Sequence, residues 1–188
     1  MATFRTSLSG FAADPSIPHI ILVGLPGSGK STVGAMLARR LDRTFLDFDV
    51  EITRREGMTV AEIFAQFGEP RYRQLERSLT EEVAELGGMV LAPGGGWMTQ
   101  PESVDLLRQP GAGRARLVYL SISPQRALER MGARRAMRPL LQRPDPRGEL
   151  ERMLAARKSA YESADVFVNV ERLDPQRVTD RILALLTP

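Results

Sequence analysis

Apolar residues follow two rhythms along this chain. Short, mostly apolar runs recur at His19-Ile20-Ile21-Leu22-Val23, Thr44 to Phe48, Met89 to Ala92, Leu117 to Ser121 and Val166-Phe167-Val168-Asn169-Val170. Runs of this kind, rich in β-branched residues and without alternation, predict strands buried on both faces of a parallel sheet. Between them the apolar positions fall three and four apart. They are Val33, Met36, Leu37 and Leu41; Val60, Ile63, Phe64 and Phe67; Tyr72, Leu75 and Leu79; and Val178, Ile182, Leu185 and Leu186. That spacing lines one face of a helix. Gly68 with Pro70 interrupts the second of these stretches, and Gly87-Gly88 ends the third. Ser123-Pro124 opens a further helix, with proline at a first helical position, and another is expected over 149–161. Strands alternating with helices predict an α/β fold, a three-layer α/β/α sandwich around a five-stranded parallel sheet.

Two stretches break the pattern. Residues 1–18 mix Ser, Thr, Arg, Gly and Pro without an apolar run, and are expected to form a flexible N-terminal extension. Residues 134–148 are rich in Arg and Pro and read as a mobile lid. Residues 19–188 are then one domain, as suits a chain of 188 residues. No apolar stretch reaches the roughly 18 residues of a membrane span, and no secretory signal is visible. A cytoplasmic protein with no membrane partner is expected.

Composition narrows the chemistry. Cysteine is absent, which removes disulfides, thiolate metal sites and cysteine nucleophiles. His19 is the only histidine, so a His-rich metal site and a Ser-His-Asp triad are poor fits. Of the 26 basic residues, only Lys30 and Lys158 are lysines. Arginine suits bidentate recognition of phosphate or carboxylate. The sequence pI of about 9.8 raises nucleic acid as a partner. The net charge is only +3 and acids interleave with bases, so no nucleic-acid partner is expected.

Gly24-Leu25-Pro26-Gly27-Ser28-Gly29-Lys30-Ser31 fits G-x-x-x-x-G-K-[ST] between a predicted strand and a predicted helix. The glycines let successive N–H groups face phosphate oxygens, and the helix adds its positive end. Lys30 supplies a mobile cation to the β- and γ-phosphates, and Ser31 a hydroxyl for Mg²⁺. The chain is therefore expected to bind a nucleoside triphosphate. Asp47-Phe48-Asp49 stands at the end of the second predicted strand. If the strand stays extended, both carboxylates face the same way, one toward a metal-bound water and one toward a substrate hydroxyl. Alternatively the two acids simply cap the following helix.

These motifs, taken with those that follow them, resemble the shikimate kinase family. Gly68-Glu69-Pro70-Arg71-Tyr72-Arg73-Gln74-Leu75-Glu76 is similar to that family's G-E-x-x-F-R-x-x-E, with tyrosine for phenylalanine. Gly94-Gly95-Gly96 matches its triple-glycine turn, Arg138-Pro139-Leu140-Leu141 its R-P-L-L lid motif, and Arg157-x-x-x-Tyr161 its R-x-x-x-Y helix. The resemblance implies a P-loop fold like that of the nucleoside monophosphate kinases, with strand order 2-3-1-4-5. It implies ATP-dependent, Mg²⁺-assisted phosphorylation of shikimate to shikimate 3-phosphate, within aromatic amino acid biosynthesis; a monomer is expected. By the same resemblance, Gly27, Ser28, Gly29, Lys30, Ser31 and Thr32 cradle ATP. Ser31 ligates Mg²⁺, and Asp47 holds a water on it. Asp49 binds the shikimate hydroxyls and orients or deprotonates the one attacked. Arg73 and Arg157 grip the carboxylate, with Gly94, Gly95 and Gly96 against the ring. Arg138 closes on the phosphates, with Lys30 and Asp49 completing the catalytic set. Arg134 and the turn at 172–175 flank the adenine.

On helical charge spacing alone, Arg73 and Arg157 could equally belong to solvated charged faces. Trp97 stands where the family has a small residue, and either narrows the acceptor pocket or packs beneath the sheet edge. Two other readings remain: a related kinase acting on gluconate, another hydroxylated acid or a nucleoside monophosphate, and a nucleotide-binding sensor without catalysis.

Overall fold

The computed structural model describes residues 14, 16–109, 115–132, 141 and 144–186. Five parallel strands form one sheet in the order β2-β3-β1-β4-β5. They are β1 (Ile20–Val23), β2 (Phe45–Asp47), β3 (Val90–Ala92), β4 (Arg116–Ser121) and β5 (Val166–Asn169). Every residue of β1 and β3 is buried, as continuous apolar runs require of central strands. Among the described residues the helices are α1 (Lys30–Leu41), α2 (Phe48–Glu56), α3 (Val60–Ala84), α4 (Pro101–Arg108), α5 (Pro124–Met131), α6 (Pro146–Glu162) and α7 (Pro175–Leu186). None is long and apolar enough to cross a membrane.

Register brings the functional turns to one edge. Ile21 pairs with Leu91, Leu46 pairs with Leu91, and Asp47 pairs with Ala92. The turns that leave β1, β2 and β3 therefore emerge side by side at the carboxyl ends of the strands. The chain runs from β1 to one side and places β4 on the other, which is where open α/β sheets hold ligands.

Several elements differ from the sequence reading. Thr44 to Phe48 was expected as strand, but β2 ends at Asp47 and α2 begins at Phe48. Phe48 is fully buried, and one buried aromatic at an element boundary fits either period. The break expected at Gly68 is present, by contrast: Gly68 takes a non-helical φ of 77° and ψ of 172°, a kink that divides α3 into two helical stretches. The 3-10 turn at Trp97–Thr99 and helix α4 had no counterpart in the sequence reading. Of the stretch read as a lid, 134–140 and 142–143 lie outside the described residues. Residues 146–148 are the first turn of α6, with Asp145 accepting from the Gly148 N–H at 2.9 Å. Residues 16–18 were grouped with the extension, yet Ile17 and Pro18 are tied to the body. The Gly88 N–H donates to the Ile17 carbonyl at 2.7 Å, and Arg43 to the Pro18 carbonyl at 3.1 Å.

His19 is buried and satisfied at both ring nitrogens. Nε2 donates to the Val83 carbonyl at 3.0 Å, and Nδ1 accepts from the Met89 N–H at 3.2 Å. This pairing selects the neutral ring with its proton on Nε2. Burial holds its pKa below the ordinary 6.5.

Candidate active site

The phosphate loop is shaped by its own backbone. Gly24, Gly27 and Gly29 take φ of 144°, 84° and 101°. These are left-handed conformations that side-chain-bearing residues adopt at a cost. Gly29 caps α1 without a side chain, and its carbonyl accepts from the Val33 N–H at 2.8 Å. Lys30 Nζ folds back over the loop, donating to the Gly24 and Leu25 carbonyls at 2.9 and 3.2 Å. The Ser28 hydroxyl is buried and has no hydrogen-bond partner among the described residues. The loop borders a cavity of about 620 Å³ that also takes in Asp47, Asp49, Arg126, Arg130 and the turn at 172–175.

Asp47 is the N-cap of α2. Its Oδ1 accepts from the N–H groups of Asp49 and Val50 at 3.0 and 3.4 Å. Its Oδ2 accepts from the Ser31 hydroxyl. The strand geometry expected to point Asp47 and Asp49 the same way is therefore absent, because the helix starts between them. The capping alternative holds for Asp47, and Asp49 sits in the first turn of α2. Both still border the same cavity. Among the described residues no cluster of three or more His, Asp or Glu could hold a metal. A divalent ion at Ser31 and Asp47 would draw its other oxygen ligands from phosphate and water, as Mg²⁺ commonly does.

A second pocket adjoins the first. Its lining includes Val60, Phe64, Tyr72, Arg73, Gly96 and Arg157. Pro26, Asp49, Gly94 and Gly95 border both spaces. Asp49 thus stands at the junction.

The triple glycine serves space rather than dihedral freedom, because none of the three has a positive φ. A Cβ on Gly94 would sit 2.5 Å from Glu76 Oε1 and 2.9 Å from the Tyr72 hydroxyl. One on Gly95 would lie 3.1 Å from Arg157 Nη1, and one on Gly96 would collide with the Arg73 guanidinium. Each glycine admits one arm of a polar cluster.

Glu76, the last fixed position of the G-E-x-x-F-R-x-x-E motif, is the anchor of that cluster, a role the sequence reading did not give it. Its residue is completely buried. Oε1 accepts from the Gly94 N–H at 2.9 Å, while Oε2 takes Arg73 Nη1 and, at 3.3 Å, Gln100 Nε2. Burial pushes its carboxyl above the usual range, against the pull of Arg73. Arg73 is held on its other side by Glu69 at 2.7 Å. A solvated-face reading fits Glu69 but fails at Glu76. Arg157 borders the same pocket from α6, beside Tyr161. The Tyr161 hydroxyl donates to the Gly95 carbonyl at 2.7 Å and so ties α6 to the triple-glycine turn.

Trp97 lines neither pocket. It is fully buried, and its Nε1 donates to Thr80 Oγ1 at 3.0 Å. Packing, not pocket shaping, explains it. Thr32 and the turn at 172–175 border the larger cavity. Sequence reasoning missed Arg126 and Arg130 there; Arg130 ties down the turn by donating to the Val170 and Leu173 carbonyls at 2.6 and 2.8 Å. Arg134 and Arg138 lie outside the described residues.

The shikimate kinase family model matches residues 26–187. A shikimate kinase from Pseudomonas syringae pv. tomato is 41% identical over 169 residues, covering 89% of this chain and 95% of the relative. The solved shikimate kinase from Acinetobacter baumannii in complex with shikimate has a TM-score of 0.84 at 36% identity, covering 92% of this chain and 94% of that one. A gluconokinase from Sinorhizobium meliloti shares the fold alone, with a TM-score of 0.59 at 20% identity, over 92% of this chain and 93% of that one. With its phosphate loop, its triple-glycine turn and a family match across most of its length, the chain belongs to the shikimate kinase family.

Proposed function

We infer that this protein transfers the γ-phosphoryl group of ATP to a ring hydroxyl of shikimate. The observation that carries this reading is the position of Asp49, where the phosphate-loop cavity meets the pocket of Arg73 and Arg157. A transferred group must pass through that junction. Shikimate carries a carboxylate at one end of a small ring and hydroxyls at the other. Two guanidinium groups opposite one carboxylate match that pattern, and the planar fork of arginine suits a carboxylate better than lysine does.

The roles follow from chemistry. Loop N–H groups and the start of α1 hold the phosphates of ATP. The buried Ser28 hydroxyl at the cavity wall is one polar atom for a bound phosphate to satisfy. Lys30, now on two loop carbonyls, would turn to the β- and γ-phosphate oxygens. Ser31 and Asp47 fit Mg²⁺, which when bound neutralises charge on those oxygens. Asp49 orients the attacking hydroxyl and accepts its proton as the new P–O bond forms and the bond to ADP breaks. Arg73, braced by Glu76, and Arg157 hold the carboxylate, while Gly94, Gly95 and Gly96 leave room for the ring. Arg138 is assigned to the γ-phosphate charge on its R-P-L-L motif alone.

An ADP-release assay across shikimate, gluconate and AMP tests this reading. Turnover with shikimate and not with the other two is expected. Turnover with gluconate or AMP and none with shikimate would overturn it.

A further inference from the structure

The family motif carries phenylalanine where this chain has Tyr72, and the added oxygen is not idle. Tyr72 is 3% exposed on α3, after the Gly68 kink. Its ring lies 5.2 Å from that of Phe64 at 48°, and the Arg73 guanidinium carbon stands 5.4 Å from its centroid. The ring is therefore clamped, and the hydroxyl has a fixed place. There it donates to Asp49 Oδ1, 23 residues away on α2. Gly94 makes the approach possible, since a side chain there would crowd the same hydroxyl.

We propose that Tyr72 is a positioning residue that fixes the Asp49 carboxylate toward the acceptor hydroxyl. This rests on the shikimate-phosphorylating reading above. Asp49 is on the first turn of α2, at the edge of a wide cavity. A short side chain in such a place changes rotamer readily unless something holds it. A buried phenol on one oxygen provides that hold. It also orients the carboxylate before substrate arrives, so less ordering remains for the transition state. Charged and titratable neighbours keep the phenol a donor. Burial, then Asp49, then Glu76 push its pKa well above the ordinary value, with Arg73 opposing. Tyr72 thus acts through Asp49 rather than on the reacting atoms, and couples the base on α2 to the Arg73–Glu76 pair on α3.

Steady-state kinetics on four purified proteins test this: wild type, Tyr72→Phe, Asp49→Asn and the double variant. Tyr72→Phe removes one oxygen and keeps the packed ring. It should lower kcat about tenfold, the worth of a hydrogen bond to a charged group. The shikimate KM should change by less than about twofold and the melting temperature by less than about 2 °C, since ring packing is retained. In the Asp49→Asn background the same change should cost nothing further. An unchanged kcat, a loss confined to KM, or an equal loss in both backgrounds would each overturn the proposal. Wild-type protein that fails to turn over shikimate would instead overturn the functional reading beneath it.

Discussion

The two ends of the site are built from different material. The core of the nucleotide end is one continuous loop of eight residues whose shape is set by its own backbone, with Asp47, Arg126, Arg130 and the turn at 172–175 added around it. Its glycines are all needed for dihedral angle, each with a positive φ, and Gly24 and Gly27 for space as well. The acceptor end is assembled from side chains on α2, α3 and α6 and from the turn after β3. Its glycines are needed for space. A backbone cradle is specified locally, and any P-loop protein can share it. A side-chain pocket depends on several separated segments arriving in register, and so can specialise for one acceptor.

The largest expected effect separates chemistry from nucleotide binding. Asp49→Asn keeps shape and removes the base. It should lower kcat about 10²–10⁴-fold, the usual worth of general base catalysis. ATP affinity measured by calorimetry should stay within about twofold, because the change lies outside the backbone cradle. Wild-type turnover in this variant would mean that Asp49 neither orients nor accepts the proton.

A pair of glycine substitutions tests the two uses of glycine directly. Gly29→Ala forces a side chain onto φ 101° while its Cβ meets nothing closer than Val33 Cγ2 at an ordinary 3.7 Å. The cost is dihedral strain alone, so stability should fall by about 2 kcal/mol in thermal or urea unfolding. Gly96→Ala meets the Arg73 guanidinium, a side-chain end that can move. Stability should change by less than about 1 kcal/mol, but the shikimate KM should rise about tenfold as Arg73 is displaced. The ATP KM should hardly move. Equal effects of the two substitutions on both substrates would erase the distinction drawn above.

The smallest expected effect lies away from both ends. His19 is neutral in the fold, with a pKa below 6.5 because of burial. The unfolded chain therefore binds a proton more readily as pH falls below that value. Folding stability contributed by the neutral ring is complete above about pH 6.5 and declines as the solution becomes more acidic. Melting temperatures measured from pH 7.5 to 5.5 should fall for wild type. They should fall less steeply for His19→Gln, after allowance for its lower starting value. Parallel slopes would show that His19 does not carry the dependence.

The apolar runs of β1, β3 and β4 and the glycine-lysine loop were legible because each signal is local. The same locality explains the errors. The boundary at Phe48 was misplaced because one buried aromatic serves strand and helix equally. Helix α4 went unread because its eight residues hold only three large apolar side chains, of which Val104 and Leu107 alone face the core. Arg73 was legible only through an ordered resemblance, since i,i+3 and i,i+4 charges look alike whether solvated or buried. Glu76 shows the cost of that ambiguity. The motif that carries Arg73 ends on it, but nothing in its neighbours says that this acid is completely buried, braces the arginine and holds the N–H of Gly94.

By itself, then, the sequence determined the parallel α/β architecture and the phosphate cradle, because strand burial and glycine dihedrals are properties of short segments. It also supplied the residue types of an acceptor site. Only the tertiary structure decided which of them meet: Asp47 as a cap rather than a strand-end acid, Trp97 as packing, Glu76 as the brace of Arg73, and Tyr72 on Asp49. Those contacts join residues brought together by sheet register and helix packing, and no local spacing encodes such a meeting.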